Sequence, residues 1–432
     1  MNKSKTNTEQ MKNVLALNEL NFDLIKKYIK AGYLPNFKRL LKNERLIITE
    51  SENEYRLLEP WIQWVSVYSG LKYHSHKVFR LGDINELNFK LIFDELDESS
   101  INQLLVSPFN CPNNLKNSNS VFISDPWTNT KSTASKRHLK LIKVLIKAIN
   151  NNAGGGRLKL QDLLTLGINS IRELKLTDFK LLLKIYKSKS FKAAFLDLLI
   201  FRVYYNSKSA KFDFGWLFLN GAAHIQHHYY NNSKVVESKI KNPDWYINKE
   251  DDCILNIYSV YDHILKDYFN FDEDFIVLTG LSQKLHKNQT FYYRLSNHAQ
   301  LLNKINLKYS KVLPRMSRDF LIEFDNQQDC DLAFKILDNI NFDSRKLFDI
   351  DIRDKSLFVE LIYSKEIMKN SFTLFNNVSL DIFEFVDFVA IKNGEHSKVG
   401  YLASNFKTDL NEEIQLEETN AFMKNWVINS KL

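Results

Sequence analysis

Residues 214–219, Phe-Gly-Trp-Leu-Phe-Leu, carry no polar side chain, so a strand built from them must be buried on both faces. That points to a parallel sheet covered by helices on either side, because a strand with one wet face would alternate apolar with polar residues. Shorter apolar runs at 14–17 and 275–279 have the same character. Between residue 14 and about residue 130 strands and helices interleave: strand 14–17, helices 22–31, 61–68 and 89–96, strands 103–106 and 121–123. The expected fold class is α/β, with a doubly wound, mostly parallel sheet.

A change of pattern divides the chain. Residues 14–134 form the first part of an α/β core, and 135–209 turn to Lys/Leu-rich helical periodicity, interrupted by the Gly-rich loop 150–156. Residues 210–300 resume the core, 315–370 read as a small α+β unit, and 380–432 complete the core through an Asn393-Gly394 turn. The net charge of +8 arises from 59 Lys and Arg against 51 Asp and Glu. With no dense basic face interleaved with aromatics, no nucleic-acid polymer is expected as partner. The three cysteines, Cys111, Cys253 and Cys330, are odd in number and far apart, so neither a disulfide framework nor a thiolate zinc site is indicated. They fit a reducing compartment, and the polar first 13 residues lack a signal peptide's apolar run, so a cytoplasmic location is expected. No stretch approaches the roughly 20 apolar residues of a membrane span.

Two segments carry the functional signal. In 15–40 the first strand runs into Asn18-Glu19-Leu20-Asn21, then an amphipathic helix, then Leu34-Pro35-Asn36. In 59–83, Glu59-Pro60-Trp61-Ile62-Gln63-Trp64 leads to Ser69-Gly70, with His76 beyond. Together they resemble the alkaline-phosphatase-like superfamily in its type I phosphodiesterase/nucleotide pyrophosphatase branch. There a strand ends in Asp-Gly, a helix ends in Leu-Pro-Asn, and a Ser/Thr nucleophile precedes Trp-x-Ser-x-x-Thr-Gly. The resemblance implies an alkaline-phosphatase-like core with a helical insertion and a small α+β cap. It also implies a divalent metal, zinc among the candidates, and hydrolysis or transfer of a phosphate or sulfate ester of a small molecule or glycan.

Position by position, Asn220-Gly221-Ala222-Ala223-His224 matches the spacing of an Asp-x-x-Gly-His ligand segment, and Glu395-His396 the late ligand His of that family. Asn18 stands in place of the first-strand Asp, Glu19 in place of its Gly, Gly280-Leu281 in place of an Asp-His pair, and Pro60 at the nucleophile. The expected metal ligands are Asn18, Asn220, His224 and His396, weakened where Asn replaces a carboxylate. His224, His227 and His228, spaced three and four apart, share one helical face. Glu59, Glu19 and Asp125 are the candidate catalytic carboxylates. His228, Arg315 and Arg318 are the candidate substrate ligands, Arg being suited to an anion. Each has a plainer reading: strand-end loop residues, surface arginines paired with acids, and Glu59 as a helix cap. Two functions follow, a divergent metal-dependent hydrolase or transferase, or a catalytically inactive relative that binds an anionic glycan, a nucleotide or a protein.

Overall fold

A computed structural model describes residues 10–43, 45–86, 89–128, 130–150, 158–209, 211–270, 273–314, 318–375 and 378–429. The chain forms two compact units, one from residues up to 151, 156–285 and 394–432, the other from 286–393. The Gly-rich loop from residue 151 onward and Arg315 lie outside the described residues.

The first unit is built on an eight-stranded sheet: β1 (Lys12–Leu17), β2 (Ile47–Glu50), β3 (Gln103–Val106), β4 (Val121–Ile123), β5 (Phe214–Leu219), β6 (Phe275–Leu278), β7 (Val399–Ser404) and β8 (Glu413–Gln415). The spatial order is β8-β2-β7-β6-β1-β5-β3-β4. All run in one direction except β7, which is antiparallel to both β2 and β6. β1 lies at the centre, between β5 and β6, so the chain winds outward from it in both directions.

Every residue of β5 is buried. Phe214, Trp216 and Phe218 face an aromatic cluster supplied by the helix Pro60–Ser69 and its neighbours. Trp216 meets Trp64 at 5.9 Å, Tyr68 at 5.3 Å and Phe93 at 5.4 Å between ring centroids, in edge-on pairs each worth about 0.5–1.5 kcal/mol beyond area burial. On the opposite face the helix Phe191–Ser207 packs so closely that a β-carbon on Gly215 would lie 2.1 Å from Tyr204 Oη. The helix Pro60–Ser69 opens on a proline, which gives up only an N–H the first turn leaves unused, and stops at Gly70 in the left-handed conformation (φ +69°).

The second unit holds a four-stranded antiparallel sheet in the order Phe348–Arg353, Ser356–Leu361, Asp319–Glu323, Lys311–Pro314. The helix Gln327–Asp338 buries Cys330, Ala333 and Leu337. The turn expected at Asn393-Gly394 does not form: the chain runs through both residues as one strand, Val386–Ser397. Asn393 is fully buried there and its Nδ2 donates to the Ile391 carbonyl, which replaces the turn bonding that the dipeptide usually provides. Among the described residues no helix is long and apolar enough to cross a membrane.

Candidate metal centre

β1, β5 and β6 end side by side, and antiparallel β7 begins at the same edge. The residues after Leu17, Leu219 and Leu278 and those before Val399 are therefore gathered together, where ligand sites of open parallel sheets form. Asn18 closes β1, and Glu19 follows with φ +56°, a left-handed conformation that costs a residue with a β-carbon about 1–2 kcal/mol. Asn18 N donates to the Leu219 carbonyl and Glu19 N to the Thr279 carbonyl, both at 3.0 Å, so the turn is pinned between β5 and β6.

The turn buries the Glu19 carboxylate among nitrogen donors. Its Oε2 lies 3.0 Å from His227 Nε2 and 3.4 Å from His396 Nε2, and the two imidazole nitrogens are 3.2 Å apart. Gln283 Nε2 donates to the same oxygen, and Gln226 Nε2 donates to the Glu19 carbonyl at 2.7 Å. Burial alone would raise the Glu19 carboxyl, but the charges and hydrogen bonds of His396 and His227 outweigh it and hold the group well below the usual carboxylate range.

The outer nitrogens of both rings are engaged as well. His227 Nδ1 is 3.3 Å from the Gly394 carbonyl, which can only accept, so Nδ1 carries a proton and Nε2 is the atom turned to Glu19, donating to the carboxylate when protonated and free to ligate once it loses that proton. His396 Nδ1 faces Glu59 Oε2 at 3.8 Å. Two imidazoles and a carboxylate make the donor set of catalytic zinc sites, which keep a fourth position open. Bonds of about 2.0–2.1 Å in a tetrahedron require donors roughly 3.3–3.4 Å apart, and the three atoms here stand at 3.0–3.4 Å. Among the described residues no other set of His, Cys, Asp or Glu donors converges in this way.

The remaining candidates fall around this centre or away from it. Asn220 Oδ1 accepts from Asn18 Nδ2 at 2.7 Å, and Asn18 Oδ1 accepts from Trp64 Nε1 at 2.7 Å, so the two amides engage one another. His224 lies on the same helix as His227, Gly221–Tyr229, but is not one of the three converging residues. Three residues are nearly a full turn, about 4.5 Å of rise, and the later imidazole is the one that reaches Glu19 and Gly394. His224 is exposed on that helix. Its ring is 4.7 Å from that of His228.

Glu59 is the N-cap residue of the helix Pro60–Ser69, but its side chain makes no capping bond. Gly280 has φ +70° and lies under Trp64, where a β-carbon would be 3.0 Å from Cε2; Leu281 is buried. Asp125 is buried past β4 and accepts from the backbone N–H of Asn110, Trp127 and Thr128 at 3.2, 2.7 and 2.8 Å, bracing that loop. Burial raises its carboxyl, against the pull of those bonds. In the second unit, Arg318 pairs with Glu360 at 2.7 Å and lies 4.5 Å over the Tyr292 ring. Gln226 and Gln283 were not singled out from the sequence, and glutamines between or after strand ends give no signal of their own.

No protein-family model and no curated protein sequence matches the chain. Among solved structures it is similar to phosphonoacetate hydrolase from Sinorhizobium meliloti in complex with phosphonoformate, at 10% identity over 97% of this chain and 96% of that one, with a TM-score of 0.47. It is also similar to wild-type alkaline phosphatase PafA (11% identity, 97% and 95% covered, TM-score 0.44). A third likeness is to murine ectonucleotide pyrophosphatase/phosphodiesterase 5 (10% identity, 97% and 95% covered, TM-score 0.42).

Proposed function

We propose that the protein is a divergent alkaline-phosphatase-like hydrolase or transferase of phosphate or sulfate esters, phosphodiesterase-like in kind, that works with one divalent metal ion. The convergence of Glu19, His227 and His396 at the carboxyl edge of the sheet carries the reading. The donor set favours zinc. Bound there, the ion supplies Lewis-acid charge for the oxygen that gains negative charge when an ester is attacked. Glu19 contributes the one formal charge, oriented by Gln283 and Gln226. His227 is held in one tautomer by the Gly394 carbonyl, and Glu59 faces the outer nitrogen of His396. Of the three candidate carboxylates, Glu59 is assigned the proton of an attacking water by its place beside the centre, 3.8 Å from His396 Nδ1, whereas Glu19 is one of the three converging donors and Asp125 braces a loop past β4. The helix that starts at Pro60 beside Glu59 offers its positive end to an anionic ester. The substrate expected is a small molecule or a glycan ester, in a reducing compartment such as the cytoplasm, where the three free, buried cysteines stay reduced.

A second reading, a catalytically inactive relative that binds an anionic glycan, a nucleotide or a protein partner, is favoured by Pro60 at the place of the nucleophile and by the mutual bonding of Asn18 and Asn220. Assays of the zinc- or manganese-loaded protein on aryl phosphomonoesters, phosphodiesters and sulfates distinguish the two. Metal-dependent turnover that Glu19→Gln abolishes is the expected result; a metal-loaded protein inert toward all three classes would leave the binding role.

A further inference from the structure

The helix Leu160–Glu173 is built inside out. Asp162, Asn169, Ser170 and Glu173 are buried, whereas Leu160, Leu163, Leu164, Ile168 and Ile171 are 50–76% exposed. At about 100° per residue these five fall on one stripe roughly 140° wide, the width of a face that ordinarily packs against a core. The next helix, Leu176–Lys184, repeats the inversion, with Asp178 buried and Leu176 and Leu183 72% and 69% exposed. Ion pairs to the inward-facing acids fix this orientation: Asp162 with the half-exposed Lys147 at 3.1 Å, Glu173 with the half-exposed Arg137 at 2.6 Å and Asp178 with the buried Arg202 at 2.5 Å. Single exposed leucines are ordinary, but a contiguous stripe held outward by ion pairs to buried acids is not.

The charge around the stripe has one sign. Residues 136–192 contain 14 Lys and Arg and three acids, a net +11 against +8 for the whole chain, so the rest of the protein is net −3. The three acids are the buried Asp162, Glu173 and Asp178, which leaves cations such as Arg172, Lys180 and Lys184 at the exposed rim.

We propose that this helical insertion is an interfacial membrane-binding element. The helix Leu160–Glu173 lies in the plane of an anionic bilayer, its Leu/Ile stripe in the acyl boundary and the surrounding lysines and arginines on lipid headgroup phosphates and carboxylates. An anionic lipid surface satisfies both features at once, an apolar layer beneath a negative rim. A second copy of the chain does not, because a two-fold contact through this face would set the same cationic rim against itself. The inference stands on the insertion and is independent of the metal centre.

Flotation of the full chain with vesicles of phosphatidylcholine, alone or mixed with phosphatidylserine, tests it. The expected result is binding to the phosphatidylserine vesicles at least about tenfold stronger than to phosphatidylcholine, and weaker at high salt. Leu163→Ser combined with Ile168→Ser should lower that binding by more than about tenfold while the chain stays folded, with a thermal midpoint only a few degrees lower, since both side chains are half-exposed. Lys180→Glu with Lys184→Glu should abolish the preference for phosphatidylserine. Absence of binding to the anionic vesicles, or binding indifferent to the Leu163/Ile168 double variant, would overturn the proposal. So would a wild-type dimer in sedimentation that this variant converts to monomer while vesicles capture neither.

Discussion

Glu19 is a carboxylate in a backbone conformation that suits glycine. The first strand ends in Asn-Glu, and the negative charge stands on the second of these, the left-handed position. The cost of about 1–2 kcal/mol is offset by the backbone bonds to Leu219 and Thr279 and by the two glutamines. Gly280, by contrast, is a glycine on two counts, its positive φ and the indole above it. Gly280→Ala should therefore destabilise the fold by about 1–3 kcal/mol, read from denaturant midpoints. Glu59 makes no capping bond, so Glu59→Gln should change stability by less than about 0.5 kcal/mol. If it serves as the base, the same change should cut kcat/KM by at least about 100-fold. A fall in stability without loss of turnover would instead make it a structural partner of His396. Of the candidate site, Asn18, Glu19 and Asn220 stand out in the sequence because they follow buried strands, and His396 because the resemblance marks a late His; that the Glu19 carboxylate, rather than either Asn, joins the converging atoms has no signal there. The choice among His224, His227 and His228 is not legible either, since all three share one helical face and only the Gly394 carbonyl and the Glu19 carboxylate distinguish them.

Among elements, the strands of the eight-stranded sheet that can be read from sequence are β1, β3, β4, β5, β6 and β7, mostly apolar runs with no competing period, and in the second unit the strands Asp319–Glu323, Phe348–Arg353 and Ser356–Leu361 are legible from their apolar residues as well. β2 (Ile-Ile-Thr-Glu) and β8 (Glu-Ile-Gln) escaped, being short, half-exposed and located toward the edge of the sheet, where polar residues are admitted. The strand Ser282–Leu295 escaped for the same reason, with Lys, His, Asn and Gln along its length. Gly394 suggested a turn, but what requires glycine there is close approach, since a β-carbon would lie 2.1 Å from Gln283 Oε1. The insertion is held by an ionic network that no periodicity announces. Arg202, fully buried, donates to both oxygens of Asp178 at 2.5 and 2.6 Å and also to Asp267, and His263 Nε2 lies 2.8 Å from Asp178. Arg202→Met should cost about 3–5 kcal/mol by removing the shared guanidinium from two buried carboxylates, leaving Asp178 only His263 and Asp267 only Lys175 as cationic partners. Burial would raise Asp178, but the hydrogen bonds from His263 and Arg202 and the charge of Arg202 outweigh it and hold the group down at about 2, against 3.8 for an ordinary Asp. Its stabilising contribution is complete above the unfolded value and is lost as pH falls through about 2. Thermal midpoints should drop over that window in the wild type and less steeply in Asp178→Asn; parallel slopes would remove Asp178 from the account.

At the scale of the whole molecule, seven co-directional strands and one reversed strand bring three distant stretches of sequence to one edge, and that convergence defines the centre. Histidines at 227 and 396 are 169 residues apart, so only the sheet order makes them neighbours. The central claim is that Glu19, His227 and His396 hold one divalent ion. Elemental analysis of the purified protein, beside His227→Ala and His396→Ala with circular dichroism to confirm folding, tests it most directly. The account predicts about one equivalent of divalent metal, zinc foremost, in the wild type and background levels in both folded variants. Metal content that both variants retain in full, or a wild-type protein that takes up no divalent ion when dialysed against one, would contradict it.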